Sequence, residues 1–156
     1  MSKGFSGLFR NTSGHKLNTN TIRDKAINAV EKLINSTPGG IKRAMAVGAY
    51  DIQTGEIVTS FAKAMPKRIH PELIKRADKI GGIGSLGVTD KNTVGVCAEF
   101  HVINSLLYKG SKLENIRLTP AYQPRTGKPR PYCNNCKAMF YDIMSLGVFY
   151  NANYCN

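Results

Sequence analysis

The sequence has few acidic residues, few cysteines and no long apolar run, and each scarcity narrows what the chain can be. No hydrophobic stretch approaches the roughly 20 residues that a helix needs to cross a bilayer. Met1 to Asn20 is polar and Gly-rich and has no secretory apolar core, so no classical signal peptide is expected in this chain. Only four cysteines occur in 156 residues, too thin a supply for a disulfide scaffold. No internal repeat or low-complexity segment appears. Asp and Glu number 10 against 22 for Lys and Arg, leaving a net charge of +12. Such a field attracts polyanions, with nucleic acid first and an anionic membrane surface or an acidic protein behind it. The plainer reading is a soluble protein with solvated cations.

What is present suits one globular domain. Apolar residues make up 42% of the chain, close to the usual share. Residues 1–18 read as a leader or linker from a longer parent chain, and 19–156 as the domain. Helical spacing of Ile22, Ala26, Ala29, Val30 and Leu33 predicts a helix over Thr19 to Ser36, stopped by Thr37-Pro38-Gly39-Gly40. Ala44 to Tyr50 and Glu56 to Phe61 read as strands joined by a turn at Asp51 to Gly55. A short basic helix is expected over Pro71 to Ile80, then a Gly-rich loop to Gly87. A second long helix spans Cys97 to Lys109, with Val96, Phe100, Ile103 and Leu107 as its buried stripe. A strand over Glu114 to Thr119 and a long loop from Pro120 to Pro131 follow. Pro131 opens a helix carrying Cys136, Met139, Phe140 and Ile143 on one face, and Val148 to Tyr154 reads as a terminal strand. Alternating strands and helices favour an α/β domain with helices on both faces of a mixed sheet. The first two strands are expected antiparallel, and the later ones, reached by helical crossovers, parallel.

The strongest chemical signal is Cys97-Ala98-Glu99 set against Cys133-Asn134-Asn135-Cys136. Both segments open predicted helices, where the dipole and the free N–H groups stabilise thiolates. Three thiolates brought together suit Zn²⁺, and three protein ligands rather than four mark a catalytic site with room for water. Glu99, two residues from a ligand, then faces that water. Two other readings stand beside this one. His101, one turn after Cys97, would close a four-ligand structural site with the three cysteines; alternatively it is a core residue. A redox Cys-x-x-Cys pair is the rival for Cys133 and Cys136, though the thioredoxin-like strand-to-helix context is missing. Cys155 has no partner by spacing and reads as a non-ligand. The G-x-G-x-x-G match at Gly82 to Gly87 follows a predicted helix rather than a strand, so it reads as a flexible loop near the rim of the site rather than a phosphate cradle. Tyr122, Arg125, Lys128, Arg130 and Tyr132 interleave aromatics with cations just ahead of the second cysteine pair, a pattern that suits a polynucleotide strand.

Cys97-Ala98-Glu99-Phe100-His101-Val102-Ile103-Asn104, with Pro131-Tyr132-Cys133-Asn134-Asn135-Cys136, resembles the zinc-dependent deaminase superfamily in its all-cysteine variant. Within it the run looks most like the YwqJ-type deaminases of bacterial polymorphic toxins. Here Tyr132 stands between Pro131 and Cys133, where the family has proline directly before the cysteine. The resemblance implies a three-layer α/β/α cytidine-deaminase-like fold. It also implies hydrolytic deamination of a nucleobase, cytosine to uracil, in single-stranded or unstacked DNA or other nucleic acid. Glu99 would move the protons, and Ala98 would contact the base. A cognate immunity protein, delivery within a larger secreted toxin and action in the target cytoplasm follow from the same resemblance. A deaminase of free nucleosides or nucleotides and a non-catalytic zinc-stabilised nucleic-acid-binding module are the alternatives.

Overall fold

Asn18 starts the first helix. Its Oδ1 accepts the backbone N–H groups of Asn20 and Thr21 at 3.0 and 3.2 Å, filling two of the donors that a helix N-terminus leaves free. The computed structural model describes residues 18–88 and 92–144. In chain order its elements are α1 (Thr19–Ser36), β1 (Ala46–Asp51), β2 (Ile57–Phe61), α2 (Pro71–Asp78), α3 (Ala98–Tyr108), β3 (Ile116–Leu118), β4 (Ala121–Gln123), β5 (Lys128–Arg130) and α4 (Asn134–Met144). The fold is α/β, with four helices and a five-stranded sheet among the described residues. None of these helices is long and apolar enough to cross a membrane. The expected terminal strand at Val148 to Tyr154, Cys155 and residues 1–17 lie outside the described residues.

Strand β1 organises the rest. It pairs antiparallel with β2, Ala46 opposite Phe61 and Tyr50 opposite Ile57. Asp51 closes the intervening turn, its Oδ1 accepting the N–H groups of Gln53 and Thr54. Side chains alternate along β1 as the pleat dictates. Tyr50 packs with Ile22 and Ala26, and Ala46 with Val30 and Phe61, all toward α1. Val47 and Ala49 instead join the large cluster built by α2, α3 and α4. At Gly48 a β-carbon would sit 2.9 Å from Val30 Cγ2, so the close approach of α1 requires glycine there.

The later strands correct the expected direction. β3 and β4 both run antiparallel to β1. The crossover through α3 does return the chain in the direction of β2, but β3 lands beyond β1 rather than beside β2. Ala49 faces Leu118 and Ala46 faces Tyr122, so a step of three residues on β1 is matched by four on its partner. The extra residue is a bulge at Thr119-Pro120. Pro120 has no N–H to give the ladder. Thr119 fills the gap by donating its N–H to the Gly48 carbonyl while its Oγ1 accepts the Gly48 N–H, both at 2.9 Å.

Two further expectations change. The segment from Pro120 to Pro131, read as a loop, contains the β4–β5 hairpin, with Pro129 opposite Tyr122. Proline is tolerated there because β5 is exposed and, among the described residues, pairs on one side only. The last helix starts at Asn134 rather than Pro131, with the Cys133 carbonyl accepting the Lys137 N–H at 3.0 Å.

Arg76 pins α2 to α4. Its guanidinium donates to both carboxylate oxygens of Asp142 at 2.7 and 2.8 Å and to the Met139 carbonyl at 2.7 Å. The hydrogen bonds from Arg76 hold the Asp142 carboxyl below its usual range. A depressed carboxyl stabilises the fold above the ordinary carboxylate pKa and ceases to do so as pH falls through its own. Asp142→Asn is therefore expected to cost about 1 kcal/mol near neutrality. In urea melts across pH the difference from the parent chain should shrink toward zero below about pH 4. A difference independent of pH would assign the cost to packing instead.

Candidate metal centre and its cavity

Two helix starts converge here. Cys97 precedes α3 in extended conformation (φ −70, ψ 150), and its carbonyl accepts the His101 N–H at 3.3 Å. Cys133 stands in the same relation to α4. Each sulfur thus sits at the positive end of a helix, and Cys136 is buried in the first turn of α4. The three Sγ atoms lie within 4.8 Å of one another. Cys97 Sγ is 3.0 Å from Cys133 Sγ, which also receives the Cys136 N–H at 3.4 Å.

The charge distribution follows from that crowding. Hydrogen bonds from the Cys136 and Cys97 side chains pull the Cys133 thiol down, helped by the N–H groups of Cys136 and Asn135. The Cys97 and Cys136 thiols are raised, first by their hydrogen bonds to Cys133. A divalent cation among the three sulfurs would displace the remaining thiol protons. Glu99 is 3% exposed. Burial, then the charge on Cys133, pushes its carboxyl up to about 7.

The donor set fits a soft divalent cation such as zinc. Tetrahedral zinc with bonds of about 2.3 Å spaces its sulfurs about 3.8 Å apart. The three sulfurs all lie within 4.8 Å of one another, and the Cys97–Cys133 pair, at 3.0 Å, would open by about 0.8 Å to take the ion. His101 does not join the group. It is buried, its Nε2 lies 3.1 Å from the Lys63 carbonyl, and burial lowers its pKa. Asn104, one residue short of a further turn along α3, binds the Arg68 carbonyl and the His70 N–H at 2.9 Å each. Both side chains hold the segment between β2 and α2 against α3.

Cys97, Ala98, Glu99 and Cys133 line a cavity of about 500 Å³, together with Asn92 and Arg130. The residues expected to meet a substrate thus separate. Ala98 and Arg130 line the cavity. Tyr132 is buried, its hydroxyl donating to the Thr119 carbonyl at 2.7 Å, so it braces the bulge. Tyr122 packs against Val30, Ala46 and Phe61 on the α1 side. Arg125 and Lys128 are exposed on the β4–β5 hairpin.

Sequence reasoning missed two asparagines. Asn92 borders the cavity, and Asn135, unremarked inside the Cys-x-x-Cys, binds the Leu86 and Asn92 carbonyls. Nothing in the pattern flagged either, because Asn135 finds its partners in backbone groups more than 40 residues earlier, Asn92 among them. The Gly-rich loop is also tied down rather than flexible. The N–H groups of Gly82, Gly84 and Gly87 are taken by the Ala77 carbonyl, the Val94 carbonyl and Ser85 Oγ. None of the three is left for a phosphate. No family model matches the chain, and neither the curated proteins nor the solved structures contain a match to it.

Proposed function

We propose that the chain is a zinc-dependent hydrolytic deaminase of three-layer α/β/α, cytidine-deaminase-like architecture, converting cytosine to uracil in nucleic acid. One observation carries the reading: three thiols gather on two helix starts, and two of them, Cys97 and Cys133, line a cavity together with a buried carboxylate, Glu99. The layering is supported by α1 and α3 packing on opposite sides of β1. A volume of about 500 Å³ falls in the range of small-ligand sites and suits one base taken out of its stack.

Cys97, Cys133 and Cys136 hold the ion, which when bound supplies a hydrolytic nucleophile at neutral pH. Glu99, its carboxyl pushed up to about 7, would take one proton of the attacking water at its Oε and pass it to the ring nitrogen, then take the second from the new hydroxyl and pass it to the amine, which leaves as ammonia. The Ala98 N–H, in the unsatisfied first turn of α3, donates to the base. Arg130 at the cavity meets a flanking phosphate, and the net charge of +12 draws in the polymer. By its resemblance to YwqJ-type domains, the chain acts as the toxin module of a larger delivered protein, in the target cytoplasm, and is neutralised by a cognate immunity protein.

Sequencing DNA and RNA from cells expressing the chain tests the reaction. C-to-T changes in DNA or C-to-U changes in RNA are expected; their absence from both polymers removes the nucleic-acid substrate. Binding to a single-stranded oligonucleotide should weaken about twentyfold between about 50 and 200 mM salt, for roughly three phosphate contacts. Salt-insensitive binding would point to a free nucleoside or nucleotide.

A further inference from the structure

Asn135 sits between two of the thiols, yet its side chain serves the cavity wall. It is 2% exposed. Its Nδ2 donates to the carbonyls of Leu86 at 3.1 Å and Asn92 at 3.0 Å, and its Oδ1 accepts the Val88 N–H at 2.8 Å. One amide therefore ties the chain on both sides of residues 89–91 to the start of α4. Gly87 is drawn so close that a β-carbon there would collide with Asn135 Oδ1, and its φ of 64 already favours glycine. Val94 reinforces the tie, its N–H donating to the Ser85 carbonyl at 2.8 Å while its own carbonyl accepts the Gly84 N–H at 3.0 Å. Asn92, held at its carbonyl by this clamp, lines the cavity beside Cys97 and Glu99. A buried amide with all three of these bonds made costs little to keep and much to break.

We propose that Asn92 contacts the base that enters the cavity and that Asn135 is the positioning residue that holds Asn92 in place. This rests on the deaminase reading and adds to it a base-recognising side chain outside the metal ligands and Glu99. An amide both donates and accepts, so it suits the mixed hydrogen-bonding edge of a nucleobase. Acting through a single backbone carbonyl, Asn135 should matter to base binding only as far as Asn92 does.

A double-mutant cycle tests the coupling. Zinc-loaded chains in a Glu99→Gln background, which leaves the base unconsumed, are titrated with two single-stranded oligonucleotides. One carries a single cytosine and the other an abasic site at the same position, so their ratio of Kd isolates the base from the phosphates. Asn92→Ala is expected to reduce that ratio about tenfold, the worth of about one good hydrogen bond. Asn135→Ala should reduce it by the same factor, and the double variant by no more than either. Asn135→Asp, which keeps the acceptor for the Val88 N–H but loses the donors, should match Asn135→Ala and guards against a misfolded alanine variant. Zinc content and the absorption of the cobalt-substituted thiolates should be unchanged throughout. Additive losses, a ratio that survives Asn135→Ala and Asn135→Asp, or loss of the metal from both would overturn the assignment. A parent chain that discriminates while these variants do not lose the ratio defeats this inference alone. A parent chain blind to the cytosine defeats the deaminase reading with it.

Discussion

If the proposed deaminase reading holds, Glu99→Ala is expected to leave one zinc bound per chain and to cut deamination at least about a thousandfold. The carboxylate lies outside the group of three sulfurs, so its loss removes no ligand. It lines the cavity beside Cys97 and Cys133, where the proposed reaction would need protons moved from the attacking water to the ring nitrogen and the departing amine. Burial raises its carboxyl to about 7, which puts acid and base forms within reach of each other at working pH. Removing a buried acid whose charged form is disfavoured should not weaken the fold, so thermal melts of variant and parent should nearly coincide. Zinc content by elemental analysis and uracil formation by mass spectrometry are the two measurements. A variant that keeps both zinc and activity would assign the proton transfers elsewhere. A parent chain inactive on every base, with zinc bound, would leave a metal-stabilised binding module.

Local chemistry was legible in the sequence wherever the determinants sit close together. The helix over Thr19–Ser36 was readable because Ile22, Ala26 and Val30 repeat at its period and Thr37 to Gly40 break it. The β1–β2 hairpin was readable from Asp51 and Gly55. The three thiols were readable because Cys97 and Cys133 each stand where apolar helical spacing begins. Information carried across the chain was not readable. Nothing in Glu114 to Thr119 says on which side of β1 it will land, and that choice sets the direction of pairing. Pro120 and Pro129 looked like loop residues, because a bulge and an exposed edge use the residue types that loops use. His101 carried a ligand's spacing, and only the Lys63 carbonyl, 38 residues earlier, gives it another partner.

Removing the metal should produce the largest change in stability. Free zinc at a thousandfold over its Kd adds about 4 kcal/mol. For a domain of this size that corresponds to a Tm higher by roughly 8–16 °C. The reason lies in what the thiols join. Cys97 opens α3 and Cys133 opens α4, while Phe100 and Ile103 of one helix pack with Met139, Phe140 and Ile143 of the other in a single cluster. A cation across the helix starts cross-links that cluster, and the unfolded chain has no preformed site to compete for it. A chelator should therefore lower the Tm of the parent chain by that amount and leave the Tm of Cys133→Ser unmoved. Cys133 is the informative position, because its sulfur lies 3.0 Å from Cys97 Sγ and receives the Cys136 N–H, and a serine hydroxyl is a poor ligand for a soft cation. The Cys133→Ser chain, melted with zinc present, should resemble the parent stripped of it. Parent and variant responding equally to the chelator would mean that the metal binds elsewhere, and the cavity would lose the source of its nucleophile.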